Sequence, residues 1–211
     1  MKKDHPKETH TGQVFVIAVS GTSGAGKTAV VNRVAALLGN VVLLHFDDYV
    51  VINNNAADIR VWLEGGASPD EFKTPRLPGD LRKLIAGEIV QLQDDRGLLE
   101  PAEFILIEEP FGRSRSEIGS LIAFAVHLDV PADVAIARRI IRAIEAQPPP
   151  EDEAMVRYVH HELKTYLAAG REAYIAAESA AIQAADMVLD GLQSVDEIAA
   201  EIVTEIHRRR Q

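Results

Sequence analysis

Apolar positions along this chain follow two rhythms. Short unbroken runs at Val14–Ser20, Val41–Phe46, Phe104–Ile107 and Leu121–Leu128 stop at glycine, aspartate or proline. Runs of that length, rich in β-branched residues, predict strands buried on both faces. Between them the apolar residues recur at helical spacing. Lys27–Leu38 carries Val30, Val31, Val34 and Leu37 on one stripe, and Gly39-Asn40 ends it. Helices are also predicted over Asp80–Leu92, Ala132–Ala146, Asp152–Ala180 and Asp196–Arg209. A short helix near Ala57–Leu63 and a last strand at Met187–Leu189 complete the pattern. Strands alternating with helices predict an α/β fold with a mainly parallel sheet and helices on both faces. In such sheets ligands bind beyond the carboxyl ends of the strands, so the residues there come next.

After the first strand stands Gly21-Thr22-Ser23-Gly24-Ala25-Gly26-Lys27-Thr28. It matches the phosphate-binding pattern of glycine, four residues, then Gly-Lys-Thr. Glycines let the backbone turn tightly and point N–H groups at phosphate oxygens. The helix that follows aims its positive end at the same anion. Lys27 is placed to reach the β- and γ-phosphates, and the Thr28 hydroxyl to ligate Mg²⁺. An apolar strand before the loop and an amphipathic helix after it supply the context the motif requires. The expected architecture is thus the three-layer P-loop NTPase fold, with a five-stranded sheet and a helical lid over about residues 138–152. ATP and Mg²⁺ are the expected cofactors.

The second strand ends at Asp47-Asp48 and the third at Glu108-Glu109. An acid beside the phosphate loop takes a proton from an attacking hydroxyl or holds Mg²⁺ through water. Asp47 is the expected base, with a share in the metal site. Glu108 directly follows its strand and is the expected metal-side acid, whereas Glu109 is expected to be solvated. Arg138, Arg139 and Arg142 follow the fourth strand, with 138 and 142 one turn apart. Their forked donors suit phosphate. Arg138 and Arg142 are expected to act on the transferring phosphate, and Arg138 also to bind the nucleotide. Arg113 is assigned to the acceptor. Trp62, Phe72 and Tyr158 are read chiefly as core, with stacking on an acceptor ring as the other use.

Length and charge narrow the partners. The chain has 211 residues, the size of one domain; residues 13–211 are read as that domain and 1–12 as a frayed tail. It carries no cysteine, which excludes disulfides and thiolate chemistry. A net charge of −10 opposes a nucleic-acid backbone. Local arginine clusters within an acidic chain instead suit a small anion. No signal-like or membrane-spanning run stands out, so a cytoplasmic monomer or homodimer with no membrane partner is expected.

Taken in order, these motifs resemble the uridine kinase and nicotinamide riboside kinase group of P-loop kinases over most of residues 14–205. Phe46-Asp47-Asp48-Tyr49 is similar to the group's Gln-Asp-Asp-Phe segment, in which the first aspartate is the proposed base. Ile105-Leu106-Ile107-Glu108 is similar to its Ile-Ile-Glu-Gly, and Pro131–Arg142 to its lid segment. Asp80-Leu81 resembles the segment whose aspartate binds ribose-like hydroxyls, and Asp186–Gly191 its closing strand. The chain departs from the group at Glu109-Pro110, where a glycine follows the glutamate, and over residues 50–79, which carry acceptor choice. The resemblance implies phosphate transfer to a hydroxyl of a nucleoside-like molecule. A vitamin, antibiotic or sugar acceptor, or a regulatory NTPase with no small acceptor, are the alternatives.

Overall fold

In the computed structural model, β1 (Phe15–Ser20) lies at the middle of a five-stranded sheet, and residues 14–51, 59–92, 97–146 and 152–211 are described. The expected tail at 1–12 and the Pro148–Pro150 edge of the expected lid lie outside those residues. After β1 come α1 (Lys27–Leu38), β2 (Val41–His45), α2 (Ile59–Glu64) and α3 (Leu77–Ile85). A small hairpin, β3 (Val90–Gln91) with β4 (Leu98–Leu99), precedes β5 (Phe104–Glu108) and the single turn α4 (Ser116–Gly119). The rest is β6 (Phe124–Asp129), α5 (Ala132–Ala146), α6 (Asp152–Thr165), α7 (Arg171–Gln183), β7 (Met187–Asp190) and α8 (Val195–Arg209).

The sheet order is β2-β5-β1-β6-β7, and every pairing in it is parallel. Side chains of a strand alternate between faces. Ile17 and Val19 therefore pack with Val30, Val31 and Val34 of α1 and with Ile198, Ala199, Ile202 and Ile206 of α8. Val16 and Ala18 face the other way, onto Leu77, Leu81 and Leu84 of α3. Each valine, leucine or isoleucine among them stabilises the fold by about 1.5–3 kcal/mol on full burial. Two covered faces make three layers, and they explain why the central strands show no polar alternation.

Three boundaries differ from the sequence expectation. The helix expected at 80–92 starts at Leu77, because Pro78 suits a first turn whose N–H groups lack partners anyway. It stops before Gly87, whose φ of 80° is left-handed, and Val90–Gln91 becomes a strand instead. The strand expected from Leu121 starts at Phe124, since the amides of Leu121 and Ile122 bond back to Ile118 and Gly119. The long helix expected over 152–180 runs to Gln183 but widens into a π-turn at Tyr166–Gly170 between α6 and α7. Among the described residues, no helix is long and apolar enough to cross a membrane.

Candidate active site

The phosphate loop leaves β1 at Ser20, whose hydroxyl donates to the Val126 carbonyl at 3.0 Å and ties β1 to β6. Two glycines shape it for different reasons. Gly24 has φ 95°, and a Cβ there would overlap the Ala135 carbonyl, so the start of α5 presses against the loop. Gly26 has open space around it but φ 94°, and it caps α1 in a conformation that costs other residues about 1–2 kcal/mol. The first-turn N–H groups of α1 have no partners within the helix and lie at its positive end, facing the cleft.

Lys27 and Thr28 open α1 beneath this loop. The Lys27 ammonium donates to the Thr22 carbonyl at 3.2 Å and stands 4.0 Å from Glu108. Burial pulls its pKa below the usual lysine value, and Glu108 and Asp47 oppose that pull. A desolvated cation here favours an incoming anion strongly, because little water is left to compete. Glu108 gathers the site: it accepts the Thr28 hydroxyl at 3.0 and 3.2 Å and lies 3.0 Å from His45 Nδ1. The sheet register sets this, pairing His45 of β2 directly with Glu108 of β5. Asp47 and Asp48 follow in one exposed 3-10 turn after β2, and both line the cleft.

The cleft has a volume of about 1010 Å³, at the upper end of the range for small-molecule sites. Its phosphate end is the loop with Thr28, Glu108, Arg139 and Arg142. Its other end is aromatic: Phe46, Trp62, Phe72 and Phe111 line it together with Ile59. Trp62 meets Phe72 edge-on with centroids 5.3 Å apart, and Phe72 lies 4.9 Å from Phe111. Ala173, Ala176 and Ala177 of α7 pack against this cluster. Their side chains are small, and the π-turn brings Tyr166 and Gly170 to the cleft lining. Wide turns of this kind often mark functional sites.

Several expected placements change. Glu109 is not solvated: it is fully buried and ion-paired to the fully buried Arg115 at 3.1 Å. Burial pushes the Glu109 carboxyl up to about 7, with Arg115 and the Phe111 amide pulling the other way. Arg115 also donates to the Phe72 carbonyl at 2.6 Å and the Thr74 hydroxyl at 2.7 Å, and it sits 5.2 Å from the Phe46 ring. It thus backs the aromatic wall. Arg113 does not reach the cleft; it bonds Asp186 at 2.6 Å and the Ile122 and Ala123 carbonyls. Those groups precede β6 and β7, at the opposite end of the sheet from the loop. Asp80 is 7% exposed, pairs with Arg76 at 3.3 Å and is not among the cleft-lining residues. Tyr49 lies beside it, and burial first, then Asp80, raises that phenol to about 12.

The arginines of α5 separate by geometry. One residue turns a helix by about 100°, so 142 falls between 138 and 139 around the axis. Arg139 and Arg142 line the cleft, while Arg138 turns out and donates to the Gly191 carbonyl at 3.3 Å. Arg139 is itself engaged with Glu162 at 3.3 Å and with the Tyr174 hydroxyl. Arg142 is left as the cleft-facing arginine with a perceptible field at Lys27. Sequence reasoning overlooked His45 and the π-turn residues. The sole sequence signal for His45 is its place two residues before Asp47. Tyr158 is not among the cleft-lining residues, whereas Trp62 is both buried and part of the wall.

Among the described residues, no group of three or more His, Asp or Glu side chains forms a ready-made metal cage. Thr28, Glu108 and Asp47 nevertheless supply the oxygen donors that Mg²⁺ accepts, because this ion takes one or two carboxylates and completes its shell with phosphate and water.

No protein-family model matches the chain. Curated sequences do. A uridine kinase of Brevibacillus brevis is 26% identical over 161 residues, 71% of this chain and 75% of that protein. Uridine-cytidine kinase 2-B of Danio rerio is 25% identical over 179 residues, 74% and 69% of the two chains. Solved structures share the fold. A possible uridine kinase from Bacillus stearothermophilus superposes with a TM-score of 0.50 at 21% identity, covering 85% of this chain and 90% of the other. A gluconokinase from Sinorhizobium meliloti 1021 gives 0.51 at 17% identity and 94% of each chain. With its phosphate loop and parallel sheet, the chain is similar to uridine kinases and shares the fold of P-loop kinases, which indicates a phosphotransferase acting on a hydroxyl group.

Proposed function

We propose that this protein transfers the γ-phosphate of ATP, with Mg²⁺, to a hydroxyl of a nucleoside-like acceptor of the uridine or nicotinamide riboside type. The observation that carries the reading is one cleft with two unlike ends. A phosphate cradle with Lys27, Thr28 and Glu108 shares the cleft with a wall of aromatic rings, and Asp47, next in sequence to Phe46 of that wall, lines the same cleft. The rings pack on one another at centroid separations of 4.9 to 6.2 Å and together form an apolar wall, against which a flat heterocycle gains from offset or edge-on contact.

The triphosphate lies in the loop with its tail toward Lys27. Thr28 and Glu108, with Asp47 alongside, would hold Mg²⁺, which supplies charge neutralisation for the phosphate oxygens. Asp47 accepts the hydroxyl proton as the acceptor oxygen bonds to the γ-phosphorus. The bond from that phosphorus to the β-phosphate oxygen breaks, and ADP leaves with the electron pair. Lys27 and Arg142 offset the negative charge on the moving phosphoryl group. Such transfer depends mostly on positioning and electrostatics, so fixed cations and an oriented base are sufficient equipment.

The test is ADP release from ATP–Mg²⁺ with uridine, cytidine, nicotinamide riboside, a sugar and a vitamin offered singly. Release stimulated by a nucleoside supports the reading. Stimulation by the sugar or vitamin alone moves the protein to another acceptor class, and slow hydrolysis indifferent to every acceptor makes it a regulatory NTPase. Asp47→Asn is expected to keep ATP binding in calorimetry and lose transfer. Equal loss of both would remove Asp47 from the role of base.

A further inference from the structure

We propose that His45 is a positioning residue for the metal-side carboxylate, holding Glu108 so that Glu108 in turn aims the Thr28 hydroxyl. The inference rests on the kinase reading above and adds a residue to it. Three groups meet at one carboxylate. Thr28 donates its O–H to Glu108 at 3.0 Å, and His45 Nδ1 lies 3.0 Å from the same oxygen, Oε2. Lys27 stands 4.0 Å from the other oxygen, Oε1.

A hydroxyl has one proton and two lone pairs. With its proton committed to Glu108, the Thr28 oxygen has its lone pairs left to face the phosphate end of the cleft. That is the state in which it serves as a ligand to a hard cation. The orientation of Thr28 therefore depends on where Glu108 points. Glu108 is the last residue of β5, with a side chain that can swing about its own bonds. His45 removes that freedom: strand register holds it opposite Glu108, and its ring is stiffer than an aliphatic chain. An ionised carboxylate only accepts, so the hydrogen bond requires the proton on His45 Nδ1. Removing a group that orients a metal ligand typically costs about 10–100-fold in metal affinity or activity.

His45 is one-third exposed, so its replacement is expected to leave the fold standing. The experiment measures Mn²⁺ binding to the ADP complex by electron paramagnetic resonance, and ADP binding without metal by calorimetry. His45→Ala is expected to weaken Mn²⁺ about tenfold or more while metal-free ADP binding holds. His45→Asn, whose amide N–H falls near the position of Nδ1–H, is expected to recover most of the loss. Wild-type Mn²⁺ affinity in His45→Ala, or an Asn variant as impaired as the Ala variant, overturns the proposal. Thr28→Ala serves as the separate control. If it leaves Mn²⁺ affinity untouched, the metal reading of the site fails first, whatever His45 does.

Discussion

The two ends of the cleft are assembled in different ways. The phosphate end uses one continuous stretch, Gly21–Thr28, with two neighbouring strand ends fixed by register. The aromatic end draws Trp62, Phe72 and Phe111 from separate segments and holds them with Arg115 from behind. A continuous loop keeps its shape through local backbone geometry. A gathered wall needs long-range contacts, and here a buried ion pair provides them. Damage at the first end should strike the rate, and damage at the second the stability of the fold.

Arg115→Met gives the largest expected effect and tests the second half of that contrast. It leaves Glu109 buried without its charge partner and frees the Phe72 carbonyl and Thr74 hydroxyl. Breaking one side of a buried pair costs about 3–5 kcal/mol. Urea unfolding at about pH 8, where Glu109 of the unaltered protein is mostly ionised and the variant's carboxyl has lost the cation that pulls it down, reads it. A loss under 1 kcal/mol would mean the wall stands without its support.

Lys27→Ala tests the other end. The substitution should lower kcat by about 10²–10³-fold, the scale for losing one charge-stabilising donor in an active site. Its melting temperature should change little in comparison with Arg115→Met. Turnover near that of the unaltered protein would break the comparison at its stronger side.

The same contrast accounts for what could be read from the sequence. The phosphate loop, α1 and the apolar strands declare themselves locally, through glycine spacing and period. Asp47 and Glu108 follow, since Glu108 ends β5 and Asp47 stands two residues past the end of β2. Arg115 and Glu109 could not be placed this way: two charged residues after a strand look solvated until Phe46, Phe72 and Thr74 are folded over them. The arginine cluster shows the limit of a helical wheel. Spacing put Arg138 and Arg142 on a shared face, but only the docking of α5 against Gly24 decides which edge of that face meets the cleft.

A smaller effect follows from Glu109 and acid. In the folded chain it titrates near 7, against an ordinary 4.5. Between those values the native state holds the proton more tightly than the unfolded chain. This group's stabilising contribution is therefore full below about pH 4.5 and is lost as pH rises through about 7. Glu109→Gln removes that dependence. The difference in melting temperature between wild type and variant should accordingly shift between about pH 5 and pH 8, with the wild type faring relatively worse at the higher value. A constant difference would place the charge of Glu109 elsewhere than in a dry core.

The finest test concerns Arg113, which belongs to neither end of the cleft. Its guanidinium bridges Asp186 and two carbonyls just before β6. Asp186 also accepts the Ala125 amide at 2.8 Å. Burial pushes the Asp186 carboxyl up, yet the hydrogen bonds from Arg113 and Ala125 prevail and hold it below the usual range. The six residues of β6 separate this bridge from the phosphate loop by about 17–20 Å at strand rise. Arg113→Ala should cost about 1–2 kcal/mol, the lower part of the range for charge-assisted bonds because both side chains are about one-quarter exposed. The KM for the acceptor should stay unchanged. A rise in that KM with stability intact would return Arg113 to the acceptor and show that the basic residues after β5 serve the cleft after all.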